Sequence, residues 1–267
     1  MAYKIIALDL DGTLVNSNKE LTKATKTSLI EAQEKGIKLV LASGRPVKGI
    51  QPLADELKLA EYGGYILSLN GSFVLDCKTK EVMYANYFPD EMIKPICEYA
   101  REHNAAALSY DNELVITENP EDEYVKIEAQ INNMDIKKVD DLISYIDYKI
   151  NKILVVGEPW YMAELTKDMN EKFSDRVEVY RSSPFFIEVV PKGVDKAESL
   201  KRLLEKIDIK REELIACGDG YNDVSMVKYA GLGVAMANGC EDIKKVADYI
   251  TASNDEDGIA KVVEKFV

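Results

Sequence analysis

The sequence predicts an α/β protein with a Rossmann-like parallel sheet, into which a separate α+β region is inserted. Short apolar runs alternate with helix-like segments over residues 1–82, and the same alternation returns over residues 191–267. Such alternation is typical of a parallel sheet covered by helices. Residues 83–190 instead alternate polar and apolar positions between helical stretches. We therefore expect a core domain of residues 1–82 and 191–267 and an inserted α+β domain of residues 83–190.

The first part of the core reads as β-α-β-α-β. Three short apolar runs are of the kind that forms buried strands: Lys4–Leu8, Ile37–Ala42 and Tyr65–Leu69. Leu21–Lys35 has apolar residues at helical spacing and is followed by glycine, and Val47–Leu57 is a second helix. Polar or glycine residues follow all three strands, and ligands bind at this carboxyl edge in open α/β sheets.

The later segments extend both patterns. In the second part of the core, the expected helices are Asp195–Ile207, Asp223–Tyr229 and Glu241–Ala247, and the expected strands are Glu213–Cys217, Gly233–Met236 and Tyr249–Thr251. In the inserted region, the runs AALSY, ELVIT, VEVYR and FFIEVV predict strands, and residues 90–103, 121–132, 138–146 and 159–173 predict helices.

Composition excludes several classes of protein. The net charge of −13 argues against a protein that grips nucleic acid or an anionic membrane. The single histidine, His103, rules out a polyhistidine metal site, and none of the four cysteines has CxxC spacing. No apolar run approaches the ~20 residues of a membrane span. We expect a cytoplasmic protein, a monomer or weak homo-oligomer, with no membrane or nucleic-acid partner.

The sharpest chemical signal is Asp9-Leu10-Asp11-Gly12-Thr13, directly after the first strand. Alternate residues of a strand point to the same side, which places Asp9 and Asp11 about 6–7 Å apart. One carboxylate could attack an electrophile while the other reaches the leaving group. Gly12 lets the backbone turn away, and Thr13 supplies a hydroxyl. A polar strand end followed by a turn is the simpler alternative for so short a motif.

Polar residues at the ends of other strands strengthen the chemical interpretation. Ser43 and Gly44 offer a hydroxyl and an open backbone N–H to an oxyanion, and Asn70-Gly71 offers donors, although each pair alone could be a plain turn. Asp219 follows a later strand and would face the same crevice. Three carboxylates without histidine or thiolate ligands suit a hard divalent cation, for which Mg²⁺ is the natural candidate.

A lysine would supply the positive side chain that this site otherwise lacks. Lys196 stands at the start of the helix that follows the inserted region, and Lys192 is a nearby competitor. A solvated helix lysine is the ordinary interpretation of either residue by itself.

Taken together, these motifs resemble those of the haloacid dehalogenase (HAD) superfamily. The Ser-Gly-Arg-Pro and Asn-Gly forms, and a cap placed after the third strand, resemble the Cof-type phosphatases of subclass IIB. The motifs that carry the likeness are Asp9-x-Asp11-Gly12-Thr13, Ser43-Gly44-Arg45-Pro46, Asn70-Gly71, Lys196, Gly218-Asp219-Gly220-x-Asn222-Asp223 and Asn254-x-x-x-Gly258. Two departures are Ser43, where many relatives have threonine, and Asp195-Lys196-Ala197, where relatives often have Lys-Gly.

The resemblance implies a Mg²⁺-dependent phosphatase that works through an aspartyl-phosphate. Asp9 would be the nucleophile, and Asp11 the general acid and then the general base. The carboxylates of Asp9 and Asp219 and the backbone carbonyl of Asp11 would hold Mg²⁺. The remaining roles would be contacts to the phosphate oxygens from Ser43, Gly44, Lys196 and Asn222, and support of the site by Thr13, Asn70 and Asp223.

The substrate implied is a small phosphate ester, with a sugar phosphate as the first expectation. A phosphorylated cofactor or nucleotide, such as FMN or pyridoxal phosphate, is an alternative. A phosphomutase also uses two aspartates at this spacing, and a phospho-acceptor signalling module also has an acidic Mg²⁺ site on an α/β sheet. Product isomerisation without phosphate release would indicate the mutase, and an accumulating phospho-aspartate would indicate the signalling module.

Overall fold

A computed structural model describes residues 3–111 and 113–267 of the chain. The chain divides into two compact units. The first, the core unit, comprises the residues up to Ala85 together with Asp195–Val267, and the second, the cap unit, comprises Asn86–Val194. Met1 and Ala2, with which the predicted core domain begins, lie outside the described residues.

The core unit is built on an eight-stranded sheet in the order β14-β13-β12-β1-β2-β3-β4-β5. The strands are β1 (Ile5–Leu8), β2 (Lys38–Ala42), β3 (Tyr65–Ser68), β4 (Phe73–Asp76), β5 (Val82–Ala85), β12 (Leu214–Gly218), β13 (Leu232–Ala235) and β14 (Tyr249–Ile250). Neighbours from β14 to β3 pair in parallel, and β3, β4 and β5 pair antiparallel. The carboxyl ends of the parallel strands therefore meet at one edge.

Helices cover both faces of this sheet. They are α1 (Lys23–Glu34), α2 (Val47–Glu56), α3 (Leu59–Tyr62), α8 (Lys196–Lys206), α9 (Val224–Tyr229), α10 (Glu241–Val246) and α11 (Gly258–Phe266). Alternate residues of β1 join different apolar clusters: Ile6 packs in a cluster with Leu29 of α1, and Ile5 in a cluster with Leu200 of α8. This division is the signature of a doubly wound sheet and confirms the predicted core architecture.

The cap unit has a six-stranded, mostly antiparallel sheet in the order β10-β11-β9-β6-β7-β8. Its elements are α4 (Asp90–Glu102), β6 (Ala106–Tyr110), β7 (Leu114–Thr117), α5 (Glu123–Ile131), β8 (Asp135–Lys138), α6 (Leu142–Tyr145), β9 (Ile153–Val156), α7 (Pro159–Phe173), β10 (Val177–Ser183) and β11 (Phe186–Pro191). Helices α4 and α7 pack on one apolar cluster and α5 on another. The prediction of an α+β fold for the inserted region is thus confirmed.

Four strands and the unit boundaries differ from the sequence expectation. Strands β4, β5, β8 and β9 were not predicted from the sequence. The units divide at Ala85 and Asp195 rather than near 82 and 191, because β5 pairs with β4 and β11 continues to Pro191 beside β10. The helix expected over residues 138–146 shortens to α6, which Asp141 caps through the Ser144 N–H. Within residues 3–111 and 113–267, no helix combines the length and apolarity needed to cross a bilayer.

Candidate active site

The loop after β1 brings the first motif against the loop after β12. Asp9 directly follows β1 and donates its N–H to the carbonyl of Cys217 in β12 (3.0 Å). Gly12 has a φ of +88°, and a Cβ placed on it would lie 2.4 Å from Oδ2 of Asp219. The Thr13 hydroxyl donates to Oδ1 of Asp219 (2.7 Å). Glycine and threonine of this motif therefore set the position of the Asp219 carboxylate, which explains their place in the sequence.

A buried lysine connects the nucleophile candidate to a second carboxylate. Nζ of Lys196, the first residue of α8, donates to Oδ1 of Asp9 (2.7 Å), Oδ1 of Asp223 (2.6 Å) and the carbonyl of Ala42 (2.9 Å). Lys196 is 1% exposed. The other oxygen of Asp223 accepts the backbone N–H groups of Asp219 and Gly220. All three ammonium hydrogens thus have acceptors, and Lys192 is not part of this network.

These neighbours shift the acid–base properties of the buried groups. Burial, and then the negative charges of Asp223 and Asp219, raise the pKa of Asp9 to about 8, although Lys196 acts in the opposite direction. Burial lowers the pKa of Lys196, but the carboxylates of Asp223 and Asp9 outweigh it, so the net shift is upward. Burial likewise raises the pKa of Asp219, against the hydrogen bond from Thr13. Without a further cation, the site therefore carries excess negative charge.

The Asp11 carboxylate has different partners from Asp9. Arg45 donates from Nε to Oδ2 (2.9 Å) and from Nη2 to Oδ1 (2.6 Å), and Nζ of Lys19 donates to Oδ1 (2.8 Å). Burial tends to raise the pKa of Asp11, but the hydrogen bonds from Arg45 and Lys19 outweigh it and the net pKa is lowered. In the substrate-free protein Asp11 is therefore ionised at neutral pH.

Besides Lys196, the residues expected to bind phosphate lie in the loops after β2 and β12, and Asn70, expected as support, lies after β3. The Ser43 carbonyl, just after β2, accepts the N–H of Asn70 (2.9 Å). Nδ2 of Asn222 donates to Oδ1 of Asn70 (3.0 Å). A Cβ on Gly44 would lie 3.2 Å from Nδ2 of Asn70, so glycine leaves room for the amide. The core unit thus joins Ser43, Gly44, Asn70 and Asn222 in one group of polar loops.

Three carboxylates form a cluster that fits a divalent cation. One oxygen each from Asp9, Asp219 and Asp223 lies within 4.8 Å of the other two. The donor set is all oxygen, and three carboxylates face one ammonium, which suits a hard cation such as Mg²⁺. The third carboxylate of this cluster belongs to Asp223, which was expected only as support. The Asp11 carboxylate pairs instead with Arg45 and Lys19.

Three contacts of the site were not predicted from the sequence. Arg45 was noted only as part of the Ser-Gly-Arg-Pro motif, and its bidentate contact with Asp11 was not anticipated. Lys19 lies eight residues beyond Asp11, in a loop without a motif, so no sequence signal identified it. Asn238, which donates to the carbonyl of Gly12 (2.8 Å), was likewise unmarked.

Comparison with known proteins identifies the family of the chain. Residues 6–263 match the model of the haloacid dehalogenase-like hydrolase family. The chain is 48% identical to a haloacid dehalogenase-like hydrolase from Bacteroides thetaiotaomicron, with a TM-score of 0.96, over 99% of this chain and 100% of that one. It is also similar to the HAD subclass IIB sugar phosphatase BT4131, with 28% identity, a TM-score of 0.80 and 98% coverage of both chains.

A third relative comes from Bacillus subtilis strain 168. It is the 5-amino-6-(5-phospho-D-ribitylamino)uracil phosphatase YcsE, which is 32% identical over 269 residues, covering 99% of this chain and 96% of its own.

A doubly wound core with an aspartate-rich loop at the carboxyl edge of its sheet defines a class of hydrolase, and the family match extends over nearly the whole chain. The chain belongs to the haloacid dehalogenase-like hydrolase family. Its relatives support a phosphatase as the class of enzyme.

Proposed function

We propose that the protein is a Mg²⁺-dependent phosphatase that hydrolyses small sugar or polyol phosphates through a phospho-Asp9 intermediate. The observation that carries the proposal is the buried arrangement of Asp9, Lys196 and Asp223 beside Asp219. It presents an Asp9 carboxylate next to a fixed ammonium, and the cluster lies at the edge of the sheet where such enzymes bind ligands.

In the first step, an Asp9 oxygen forms a bond to phosphorus while the bond from phosphorus to the ester oxygen breaks. The leaving oxygen takes a proton from Asp11, so that an alcohol departs. Lys196 contacts Asp9 and holds its carboxylate in one orientation. Four groups would neutralise the charge on the phosphoryl oxygens: the ammonium of Lys196, the hydroxyl of Ser43, the N–H of Gly44 and the amide of Asn222.

In the second step, water attacks phosphorus, its proton passes to Asp11, and the bond between phosphorus and Asp9 breaks to release phosphate. The ionised state of Asp11 suits this role of a base. The role of an acid requires a proton that the substrate-free protein lacks. A bound phosphate dianion would raise the pKa of Asp11, both by its own charge and by attracting Arg45 and Lys19 away from the carboxylate.

Mg²⁺ would be held by Asp9 and Asp219 and by the backbone carbonyl of Asp11. Asp223 would act through its contacts with Lys196 and with the N–H groups of Asp219 and Gly220. When bound, Mg²⁺ would neutralise the repulsion between carboxylate and phosphate. Thr13 and Gly12 set the orientation of Asp219 for this purpose, and Asn70 supports Asn222.

The substrate class is supported by two relatives. One is a sugar phosphatase, and the other acts on a phosphorylated ribityl chain. Both names describe a phosphate ester of a polyhydroxylated carbon chain. We propose a cytoplasmic enzyme that acts as a monomer or weak homo-oligomer.

The mechanism can be tested by trapping the intermediate. A phosphate ester labelled on phosphorus is mixed with excess enzyme and Mg²⁺, quenched in acid within milliseconds, and digested. We expect label on the peptide that contains Asp9, removable by hydroxylamine, and no label in Asp9→Asn. Rapid phosphate release with no labelled peptide would contradict the aspartyl-phosphate. Multiple turnovers with free phosphate distinguish the phosphatase from a mutase and from a signalling module.

A further inference from the structure

The cap unit contains an aromatic groove of about 480 Å³. We call it the Trp160 groove. Its lining consists of Glu102, His103, Asn104, Gly157, Glu158, Trp160, Tyr161 and Met162. The volume lies within the range of small-molecule sites. All of these residues belong to the cap unit, and none has a part in the mechanism above.

The side chain of Trp160 is unusually exposed for a tryptophan. Trp160, the single tryptophan of the chain, is 79% exposed, although aromatic rings of this size are normally buried for most of their area. The ring centroids of Trp160 and Tyr161 are 5.6 Å apart and inclined by 46°. Trp160 thus presents an exposed ring beside the half-buried ring of Tyr161, and one ligand group could contact both.

Charge selects the kind of ligand. Two carboxylates, Glu102 and Glu158, line the groove, and the lining residues within the described parts of the chain include no lysine or arginine. Glu158 is the N-cap of α7, whose helix dipole contributes only about half a positive charge against the full charge of the carboxylate. Aromatic faces attract cations within about 6 Å of the ring centroid. The surroundings therefore favour a positive group.

A second pair of stacked rings, which shares only His103 with the groove, already holds a cation from the chain itself. Tyr99 stacks on His103 with centroids 4.0 Å apart, and Nζ of Lys172 lies 4.3 Å from the centroid of the Tyr99 ring. This contact is separate from the rings of Trp160 and Tyr161. It indicates that the rings on this side of the cap unit provide a suitable environment for an ammonium group.

From these contacts we propose that the Trp160 groove binds a small organic cation with an ammonium or quaternary ammonium head. The head group lies over the faces of Trp160 and Tyr161, and the carboxylates of Glu102 and Glu158 supply the counter-charge. The site is distinct from the phosphatase residues and does not depend on the proposed reaction.

The single tryptophan makes the test direct, because intrinsic tryptophan fluorescence reports this groove alone. Full-length protein is titrated with choline and, in parallel, with 3,3-dimethylbutan-1-ol, which has the same shape without the charge. We expect saturable quenching by choline in the millimolar range or below. The neutral alcohol should bind at least about fivefold more weakly, because it cannot form a cation–π contact.

Variants locate the binding. Glu102→Gln with Glu158→Gln should weaken choline binding, whereas Glu171→Gln, on the same helix α7 but about 18 Å further along, should not. Binding to Trp160→Leu, followed by broadening of the choline methyl NMR signal, should be weaker by about fivefold or more. Equal affinity for choline and the neutral alcohol, or unchanged affinity in the variants, would overturn the proposal. So would fluorescence that changes with protein concentration instead of choline, since a second copy would then occupy the groove.

Discussion

Lys196 lies between Asp9 and Asp223 and contacts both carboxylates. At the scale of single residues, these two contacts determine the charge balance of the site. One ammonium cannot neutralise both carboxylates, and Asp219 adds a third. Burial, together with these negative charges, raises the pKa of Asp9 to about 8 in the absence of a metal. The negative charge that makes Asp9 a nucleophile is also the charge that its neighbouring carboxylates disfavour. Asp9 therefore needs a bound cation to be an effective nucleophile.

Asp9→Asn should separate catalysis from stability. The amide keeps the shape of the side chain but cannot attack phosphorus, so we expect kcat to fall by about 10³-fold or more. The folded state should not lose stability above pH 8, because the substitution removes a charge from a cluster with excess negative charge. Asp175→Asn, an exposed aspartate of the cap unit, is the control. More than a tenth of wild-type turnover in Asp9→Asn would mean that another group is the nucleophile.

Asp11→Asn should reveal whether this residue acts as an acid. p-Nitrophenol leaves without a proton, so the variant should slow formation of phospho-Asp9 much less for p-nitrophenyl phosphate than for an alkyl phosphate. Hydrolysis of the intermediate should slow for both, since it is the same species. General acid–base catalysis contributes about 10²–10⁴-fold, which single-turnover bursts resolve. Equal slowing of phosphorylation for both esters would leave Asp11 with a structural role, through Arg45 and Lys19.

At the scale of elements, the sequence predicted the parallel part of the fold better than the rest. Strands β1, β2 and β3 were identified because each is an apolar run that ends at glycine or a polar residue. β9 (ILVV) is an apolar run too short to distinguish from a buried helix, and β8 (DIKK) has almost no apolar residues. β8 is a strand because it pairs in parallel with β7, and such a tertiary contact leaves no local signal.

The turn after β1 provides a prediction at this scale. Gly12→Ala places a methyl group 2.4 Å from Oδ2 of Asp219 and also strains a backbone with a φ of +88°. Gly36→Ala has the same backbone strain, with a φ of +93°, but its Cβ would have no neighbour within 4 Å. Gly36→Ala should lose about 1 kcal/mol of stability from backbone strain, and Gly12→Ala should lose more, because its methyl group also displaces the Asp219 carboxylate. Only Gly12→Ala should lose Mg²⁺ affinity and phosphatase activity, as measured by calorimetry and phosphate release.

If Gly12→Ala bound Mg²⁺ as tightly as Gly36→Ala, the position of Asp219 would not depend on this turn, and the proposed role of Asp219 as a ligand would be weakened. Equal loss of activity in both variants would indicate a general effect of backbone strain rather than displacement of the carboxylate.

At the scale of the whole molecule, the motifs predicted which loops meet but not how their charges pair. Parallel strands bring Asp9, Ser43, Asn70 and Asp219 to one edge whatever the details of packing, so their proximity follows from topology. The pairing of Asp11 with Arg45 depends on side-chain conformations in two loops that are 34 residues apart. The substrate is still less accessible from the sequence, because it depends on cap residues without a shared motif.

The protonation of Asp9 makes the folding stability of the molecule depend on pH. The pKa of Asp9 is about 8 in the metal-free folded chain and about 3.9 when unfolded, so the folded state binds the proton more tightly. The stability that this group contributes is fully present below pH 3.9 and is lost as pH rises through 8. Mg²⁺ should reverse the loss, because the cation requires the charged carboxylate.

Binding of Mg²⁺ at pH 7 should therefore release close to one proton, and at pH 9.5 almost none. The proton count comes from calorimetric titrations in two buffers of different ionisation enthalpy, with the metal-free enzyme and no substrate. Asp9→Asn should release far less at pH 7, while Asp175→Asn should match the wild type. Mg²⁺ binding to the wild type at pH 7 without proton release would show that Asp9 is already charged in the metal-free chain, and would remove the electrostatic argument that couples the cation to the nucleophile.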